Sequence, residues 1–374
     1  MQTLTPSAPA TPGRPPAKDM AWIAGRTFLM GSDRHYDEEA PAHKVNIDAA
    51  KINSERVYGV LADQCPSMEL DLNEVSRVSA PRIFEFTIAD IDGFWIDKYP
   101  VTNAQFQKFV KATGYITFAE RPANPADYPG ADPALLQPAS IVFTPPSAPV
   151  DMGNHYNWWT YVSGANWRHP KGKGSTIKGR EQHPVVHVSV EDAQAYVAWA
   201  DKELPTEAEW ELAGRGGLEG KEFAWGDDLY PNGKYMANTF QGQFPYKNSA
   251  ADGYNGTSPV GSFPANDYGL YDMIGNVWEW TTDWYQEHRQ IQKPPCCTMA
   301  NPRGGSAEAS YDPNLKGVHI PRKVVKGGSF LCTPDYCKRY RPAARMAQGI
   351  DTSTCHMGFR CMVRVPHALV AEEV

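Results

Sequence analysis

Lys326-Gly327-Gly328-Ser329-Phe330-Leu331-Cys332-Thr333-Pro334-Asp335-Tyr336-Cys337-Lys338-Arg339-Tyr340-Arg341 places two cysteines five residues apart around a Thr-Pro-Asp turn signal. Five extended residues would hold the thiols roughly 16 Å apart, and five helical ones would set them on different faces of a helix. A chain reversal at Pro334-Asp335 removes both obstacles. Two sulfurs brought together in this way can form a disulfide, bind a soft metal such as Cu(I), or pair a nucleophile with a resolving partner. Two buried, inert thiols are the remaining reading.

Outward from this stretch the chain shows few regular elements. Thr102-Asn-Ala-Gln105, Ser189-Val-Glu-Asp192 and Thr206-Glu-Ala-Glu209 each set a hydroxyl three residues before an amide or carboxylate, the reciprocal pattern that satisfies orphan donors at a helix start. The first predicted helix carries Phe106, Phe109 and Val110 on one face and stops at Gly114. The second carries Ala193, Tyr196, Val197 and Ala200 and fades at Leu204-Pro205, and the third ends among Gly214, Gly216 and Gly217. Strand candidates are short: Arg26 to Met30, Lys44 to Ile47, Phe94 to Ile96, Val324 to Lys326 and Phe359 to Val365. With Gly 31 and Pro 32 in 374 residues, glycine and proline reach about 17% against an average near 12%. Few helices, short strands and long connections make an irregular, loop-rich α+β domain.

A formal charge of -7 gives no electrostatic basis for nucleic acid or an anionic membrane as partner, and no apolar run approaches the roughly 20 residues that span a bilayer. Residues 1–18, rich in Pro, Ala, Thr and Ser, lack the charged and apolar regions of a signal peptide and read as a disordered lead-in. Seven cysteines without an export signal fit a reducing, cytoplasmic setting, and the odd number prevents complete internal pairing. Val45-Asn-Ile-Asp48 and Gly93-Phe-Trp-Ile-Asp97 read as one strand separated by residues 49–92, a surface insertion of the kind loop entropy tolerates. Its Cys65-Pro-Ser-Met68 is not expected to be a site of modification.

Met30-Gly31-Ser32, Tyr99-Pro-Val-Thr102-Asn103, His183-Pro-Val-Val-His187-Val-Ser189, Leu204-Pro-Thr-Glu-Ala-Glu-Trp210-Glu211, Gly269-Leu-Tyr-Asp272-Met-Ile-Gly275-Asn-Val-Trp278-Glu279-Trp280, Gly327-Gly-Ser329 and Gly358-Phe-Arg360-Cys361 occur in this order. The set resembles the formylglycine-generating enzymes, or sulfatase-modifying factors, over Met20 to Val365 apart from the insertion. The resemblance implies one compact domain of the C-type-lectin-like kind over 19–366, followed by a tail at 367–374, with structural calcium; a monomer is the expected state. It further implies O2-dependent oxidation of the cysteine in an unfolded sulfatase Cys-x-Pro-x-Arg segment to Cα-formylglycine, with copper held by two enzyme cysteines.

Cys332 and Cys337 match the copper-binding pair, a feature that many non-oxidase relatives do not have. Thiolates are soft ligands, and a two-sulfur site suits Cu(I) while leaving a direction open for the substrate's thiolate. Ser329, Trp278 and Tyr336 match the family's active-site serine, tryptophan and tyrosine. For Trp278 the alternative is a plain core role. Arg339 and Arg341, with Ser353 and His356, are candidates for substrate contact, internal ion pairs being the alternative for the arginines.

Some positions depart from the family pattern. Thr333 replaces a common histidine, and His356, in Asp351-Thr-Ser353-Thr-Cys355-His356, stands where many relatives have asparagine; its charge depends on pH. Val197, Ala213 and Pro342 occupy positions of cysteines that form disulfides in eukaryotic relatives, leaving Cys361 unpaired. Cys296 and Cys297 are adjacent and read as loop residues. For calcium, Asn238 and Asp252 with the carbonyls of Thr239 and Tyr254 match one family site, and Asp272 and Glu279 with the carbonyls of Gly275 and Val277 match another. Local capping and surface charge are the alternative reading of these oxygens.

Two function classes follow: a copper-dependent oxidase, and a non-catalytic binding or sensory module on the same fold. An iron oxidase related to sulfoxide synthases is less well matched, because no upstream helical domain with a histidine-rich motif is present.

Overall fold

The computed structural model describes residues 13–47, 84–88, 93–288, 298–315, 317–364 and 369–373. Three helices begin at the three hydroxyl signals. They are α1 (Asn103–Thr113), α2 (Val190–Trp199) and α3 (Glu207–Arg215). In each, the N-cap hydroxyl accepts the third backbone N–H while the third side chain returns a bond to the cap. α1 and α3 stop at Gly114 and Gly216, both in the left-handed region where glycine carries no side-chain penalty.

The strands form small sheets. One runs β1 (Met20–Ala24), β5 (Gly93–Asp97), β15 (Met362–Arg364), and another runs β2 (Arg26–Met30), β3 (His43–Ile47), β11 (Met299–Ala300). Ile47 faces Arg26 and Gly93 faces Ala24. The chain therefore leaves and returns beside neighbouring residues of a single partner stretch, as one strand opened by an insertion would. Of that insertion, β4 (Phe84–Ile88) pairs antiparallel with β16 (Leu369–Glu373), so the tail read as a simple terminus carries a strand. The rest of 49–92, together with Cys65, Cys296 and Cys297, lies outside the described residues.

Two further pairs, β6 (Ala139–Phe143) with β7 (Trp159–Ser163) and β8 (Gly242–Gln243) with β9 (Lys247–Asn248), stand alone. The largest sheet has the order β13 (Arg345–Gly349), β12 (Arg322–Lys326), β10 (Trp278–Trp284), β14 (Met357–Gly358). Of the strand expected over Phe359 to Val365 only Met362–Arg364 forms among the described residues, and a separate short strand, Met357–Gly358, precedes it. Met357–Gly358 joins β10 and Met362–Arg364 joins β5. Between them the Arg360 guanidinium turns inward to bind both oxygens of Glu279 at 2.6 and 2.8 Å.

One apolar cluster joins α1 and α2 to the large sheet through Phe106, Tyr196, Trp280 and Phe359, and a second packs α3 against β2, β3 and β5 through Trp210, Phe28 and Ile96. Buried ion pairs tie distant loops to this frame: Arg341 to Glu39, Arg345 to Glu207, Lys326 to Glu211 and Arg360 to Glu279. Removing one partner of such a pair would strand a buried charge, which costs about 3–5 kcal/mol. Among the described residues no helix is long and apolar enough to cross a membrane.

Candidate active site

The Ser329–Cys337 loop leaves the end of β12. Gly327 and Gly328 have φ of 92° and 69°, and a Cβ on Gly328 would lie 2.8 Å from Tyr340 Cα. Only glycine allows the backbone to fold this closely on itself before Ser329. Thr333 and Cys337 then exchange backbone bonds, Thr333 N donating to Cys337 O at 3.1 Å and Cys337 N to Thr333 O at 3.0 Å. The reversal expected at Pro334-Asp335 is present, and it brings the sulfurs of Cys332 and Cys337 to 3.4 Å. That separation is well beyond a disulfide bond of about 2.05 Å, and both thiols are free.

The two sulfurs differ electrostatically. A hydrogen bond from Cys332 pulls Cys337 down to about 6, helped by the Arg339 backbone N–H and charge and opposed by burial. Burial pushes Cys332 far up, followed by its bond to Cys337, although the Ser329 backbone N–H and hydroxyl favour its thiolate. At neutral pH the arrangement is a thiol donating to a thiolate.

The pair opens into a cleft of about 980 Å³, also lined by Trp278, Ser329, Tyr336, Arg339, Ser353 and His356. Trp278, at the start of β10, is buried in the same apolar cluster as Cys332, so it is a core and a cleft residue at once. Ser329 is buried; its backbone N–H points at Cys332 Sγ over 3.4 Å and its hydroxyl accepts from Leu331 N at 3.2 Å. Tyr336 stacks on Phe244 with centroids 4.4 Å apart and meets Trp158 edge-on at 5.7 Å. Ser353 donates to Ser140 Oγ at 2.9 Å, which in turn lies 2.7 Å from His187 Nδ1. His356 lies 2.6 Å from Thr354 Oγ1 through Nδ1 and packs on Trp159. Burial, then the neighbouring His187, holds it down at about 3, so it is neutral at physiological pH.

The arginines occupy different positions. Arg339 reaches the cleft rim but is paired with Glu38 at 2.6 Å. Arg341 is 2% exposed and held by Glu39, so it supports the loop from behind and does not line the cleft. These partners lie about 300 residues away in sequence, and no local pattern announces them. Tyr128, Trp158, Trp159, Tyr161, Phe244 and Asp351 also line the cleft and were likewise not singled out from sequence, the aromatic pair Trp158-Trp159 being their one local sign.

The candidate calcium residues form two groups. Asn238 donates through Nδ2 to Gly256 O at 2.9 Å, while its Oδ1 is buried without a hydrogen-bond partner. Asp252 accepts from the backbones of Thr239 and Tyr254, each at 3.1 Å. In the second group Gly275 N donates to Gly327 O at 2.9 Å and Val277 is core. Asp272 accepts from Gly261 N at 2.7 Å, and burial pushes its carboxyl up to about 6. Glu279 is occupied by Arg360 and by Trp210 Nε1 at 2.7 Å.

Residues 80–365 match the sulfatase-modifying factor enzyme 1-like domain. The formylglycine-generating enzyme of Mycobacterium tuberculosis is 46% identical over 342 residues, covering 91% of this chain and 96% of that protein. The chain belongs to the formylglycine-generating enzyme family. The Mus musculus formylglycine-generating enzyme is 44% identical over 271 residues, 72% of this chain and 66% of that one. Similarity at this level makes the protein an enzyme of the family's kind, converting cysteine to formylglycine. A Bos taurus protein named inactive C-alpha-formylglycine-generating enzyme 2 is 37% identical over 277 residues, covering 72% and 76% of the two chains. Among solved structures, PvdO from Pseudomonas aeruginosa superposes with a TM-score of 0.53 over 92% of this chain and 95% of its own; at 22% identity it shows the shared fold alone.

Proposed function

We propose that this formylglycine-generating enzyme oxidises the cysteine of a Cys-x-Pro-x-Arg segment in an unfolded sulfatase polypeptide, with O2 as acceptor and Cu(I) held by Cys332 and Cys337. The observation that carries the reading is the pair of free thiols 3.4 Å apart in the cleft. Sulfur is soft, and a pair with one member ionising near 6 fits Cu(I) better than a hard cation. Among the described residues no third His, Cys, Asp or Glu side chain joins the thiol pair in a metal-holding group. Copper, when bound, supplies a route for electrons between the substrate's thiolate and O2.

The protein's own residues bind, orient and exclude water. The Ser329 backbone N–H and hydroxyl hold Cys332 in place. Tyr336, clamped between Phe244 and Trp158, and the buried Trp278 give the sulfurs an apolar surround. Neutral His356 offers the substrate a hydrogen-bond partner without charge. An open cleft with aromatic walls accepts an extended chain, which supports an unfolded substrate. The orphaned Asn238 Oδ1, beside Asp252 with the Thr239 and Tyr254 backbones, fits Ca²⁺ as a structural ion. The group at Asp272 and Glu279 offers less, because Arg360 and Trp210 already engage the Glu279 carboxylate. Four free cysteines at the described positions support a reducing compartment such as the cytoplasm.

The test is mass spectrometry of a Cys-x-Pro-Ser-Arg peptide incubated with the copper-loaded enzyme, a thiol reductant and air. An aldehyde product that requires O2 is expected. Intact cysteine in several sulfatase-derived peptides would instead favour a non-catalytic module on this fold.

A further inference from the structure

The two arms of the thiol loop are held differently. Cys332 is buried and its carbonyl accepts from Phe240 N at 2.9 Å, so the first arm belongs to the core. The second arm lies at the surface, where Pro334, Asp335, Tyr336 and Lys338 are exposed and Cys337 is half-buried. On the cleft side it rests on Tyr336 against Phe244. Behind the cleft it rests on Tyr36, 301 residues before Cys337.

The peptide group between Cys337 and Lys338 is fixed at both ends. Its carbonyl accepts from Thr333 N within the reversal, and its N–H donates to Tyr36 Oη at 3.0 Å. A peptide group is planar, so holding both polar atoms sets the orientation of the whole unit. With Cys337 N–H on Thr333 O as well, the backbone on either side of the Cys337 side chain is set, and so is the direction of its sulfur. The ring of Tyr36 holds the next residue: the Arg339 guanidinium stacks 3.9 Å from its centroid while Glu38 binds Arg339 Nε and Nη2 at 2.9 and 2.6 Å. Tyr36 is itself braced. Its carbonyl accepts from Glu39 N at 3.0 Å, and Glu39 is buried in its pair with Arg341, whose Nε donates back to Lys338 O at 2.8 Å.

We infer that Tyr36 is a positioning residue for the thiol pair: its hydroxyl orients the Cys337–Lys338 peptide, its ring seats Arg339, and together they keep the Cys337 sulfur within reach of the one on Cys332. The consequence for copper and turnover rests on the function proposed above. The positioning itself can be tested without copper.

Tyr36→Phe keeps the ring and removes the acceptor, whereas Tyr36→Leu removes both. Phenylarsine oxide captures two thiols on one arsenic with release of water, and both cysteines lie in a single tryptic peptide, residues 327–338, so capture reads as one mass shift. In the reduced, copper-free, full-length protein, capture should slow about threefold in Tyr36→Phe and about tenfold in Tyr36→Leu. Alkylation of Cys337 by monofunctional N-ethylmaleimide should not slow, because it needs one sulfur only. Cu(I) affinity, measured by competition with a chromophoric chelator, should fall in the same order. Denaturant unfolding on the same samples separates positioning from loss of fold, and Tyr36→Phe decides alone if Tyr36→Leu does not fold. A wild type that captures the arsenical but binds no Cu(I) would count against the proposed oxidase while the capture rates still decide the role of Tyr36. Capture at the wild-type rate in the folded variants, or a defect confined to protein that has already unfolded, would overturn the inference.

Discussion

Cys332 and Cys361 are both buried in the same apolar cluster, yet they sit in opposite chemical settings. Cys361 has no second sulfur beside it, and burial, followed by the charge of Asp97, to which it also hydrogen-bonds, drives its thiol far above the ordinary value. Cys355 is similar: burial pushes it up to about 12, against the bond it accepts from Phe143 N. Cys332 is no less buried, but the Thr333–Cys337 reversal gives it a second sulfur to donate to, and the resulting thiolate character passes to Cys337 at about 6. Burial therefore does not distinguish a working cysteine from an inert one here. A second sulfur within hydrogen-bonding reach does, and a five-residue turn supplies it.

The widest test of this contrast is exchange of the sulfurs. Cys332→Ser and Cys337→Ser should each abolish stoichiometric Cu(I) binding and peptide conversion, because a single thiolate cannot hold a two-coordinate site, while both proteins stay folded. Cys361→Ala should retain conversion and instead lose about 1–3 kcal/mol of stability from the space it leaves. Copper titration and denaturant unfolding on the same samples check both halves. Wild-type turnover by the two serine variants would remove the basis of the proposed mechanism.

A subtler measurement uses pH. Since only the thiolate is alkylated, the rate of iodoacetamide labelling at Cys337 in the reduced, copper-free protein should rise through pH 6 and level off above it, with Cys355 labelled far more slowly at pH 7. Peptide mapping of the label at each pH gives the profile. A midpoint near 8.5, the value of an unperturbed thiol, would show that Cys332 does not donate to Cys337 as the geometry requires.

The smallest effect separates the thiol pair from its scaffold. If Asp252 and Asn238 hold a structural calcium ion, excess chelator should lower Tm by about 5 °C, and Asp252→Ala should remove that sensitivity. The Cys337 labelling midpoint should not move, because the bonds that set it lie within Ser329–Arg339. A midpoint that shifts with chelator would mean that the cation, and not the turn, governs the sulfurs.

What could be read from sequence was local. The three capping boxes, the glycine stops and the Thr-Pro-Asp reversal each depend on atoms a few residues apart, so their residue types announce them. The strands at Lys44–Ile47 and Phe94–Ile96 were legible for the same reason, since their residue pattern is local.

What tertiary structure alone decided was long-range. It shortened the last predicted strand to Met362–Arg364 and turned Arg360 inward to Glu279, and it paired Arg339 and Arg341 with Glu38 and Glu39. It also gathered Tyr128, Trp158, Tyr161 and Asp351 into the cleft that holds the thiols. A charged side chain has no sequence period that names its partner, and a cleft wall built from separate loops leaves no local pattern. The chain thus named its reactive sulfurs through a turn of five residues. Whether each nearby charge would face substrate or close an internal pair depended on which distant carboxylate or phenol the fold brought to it.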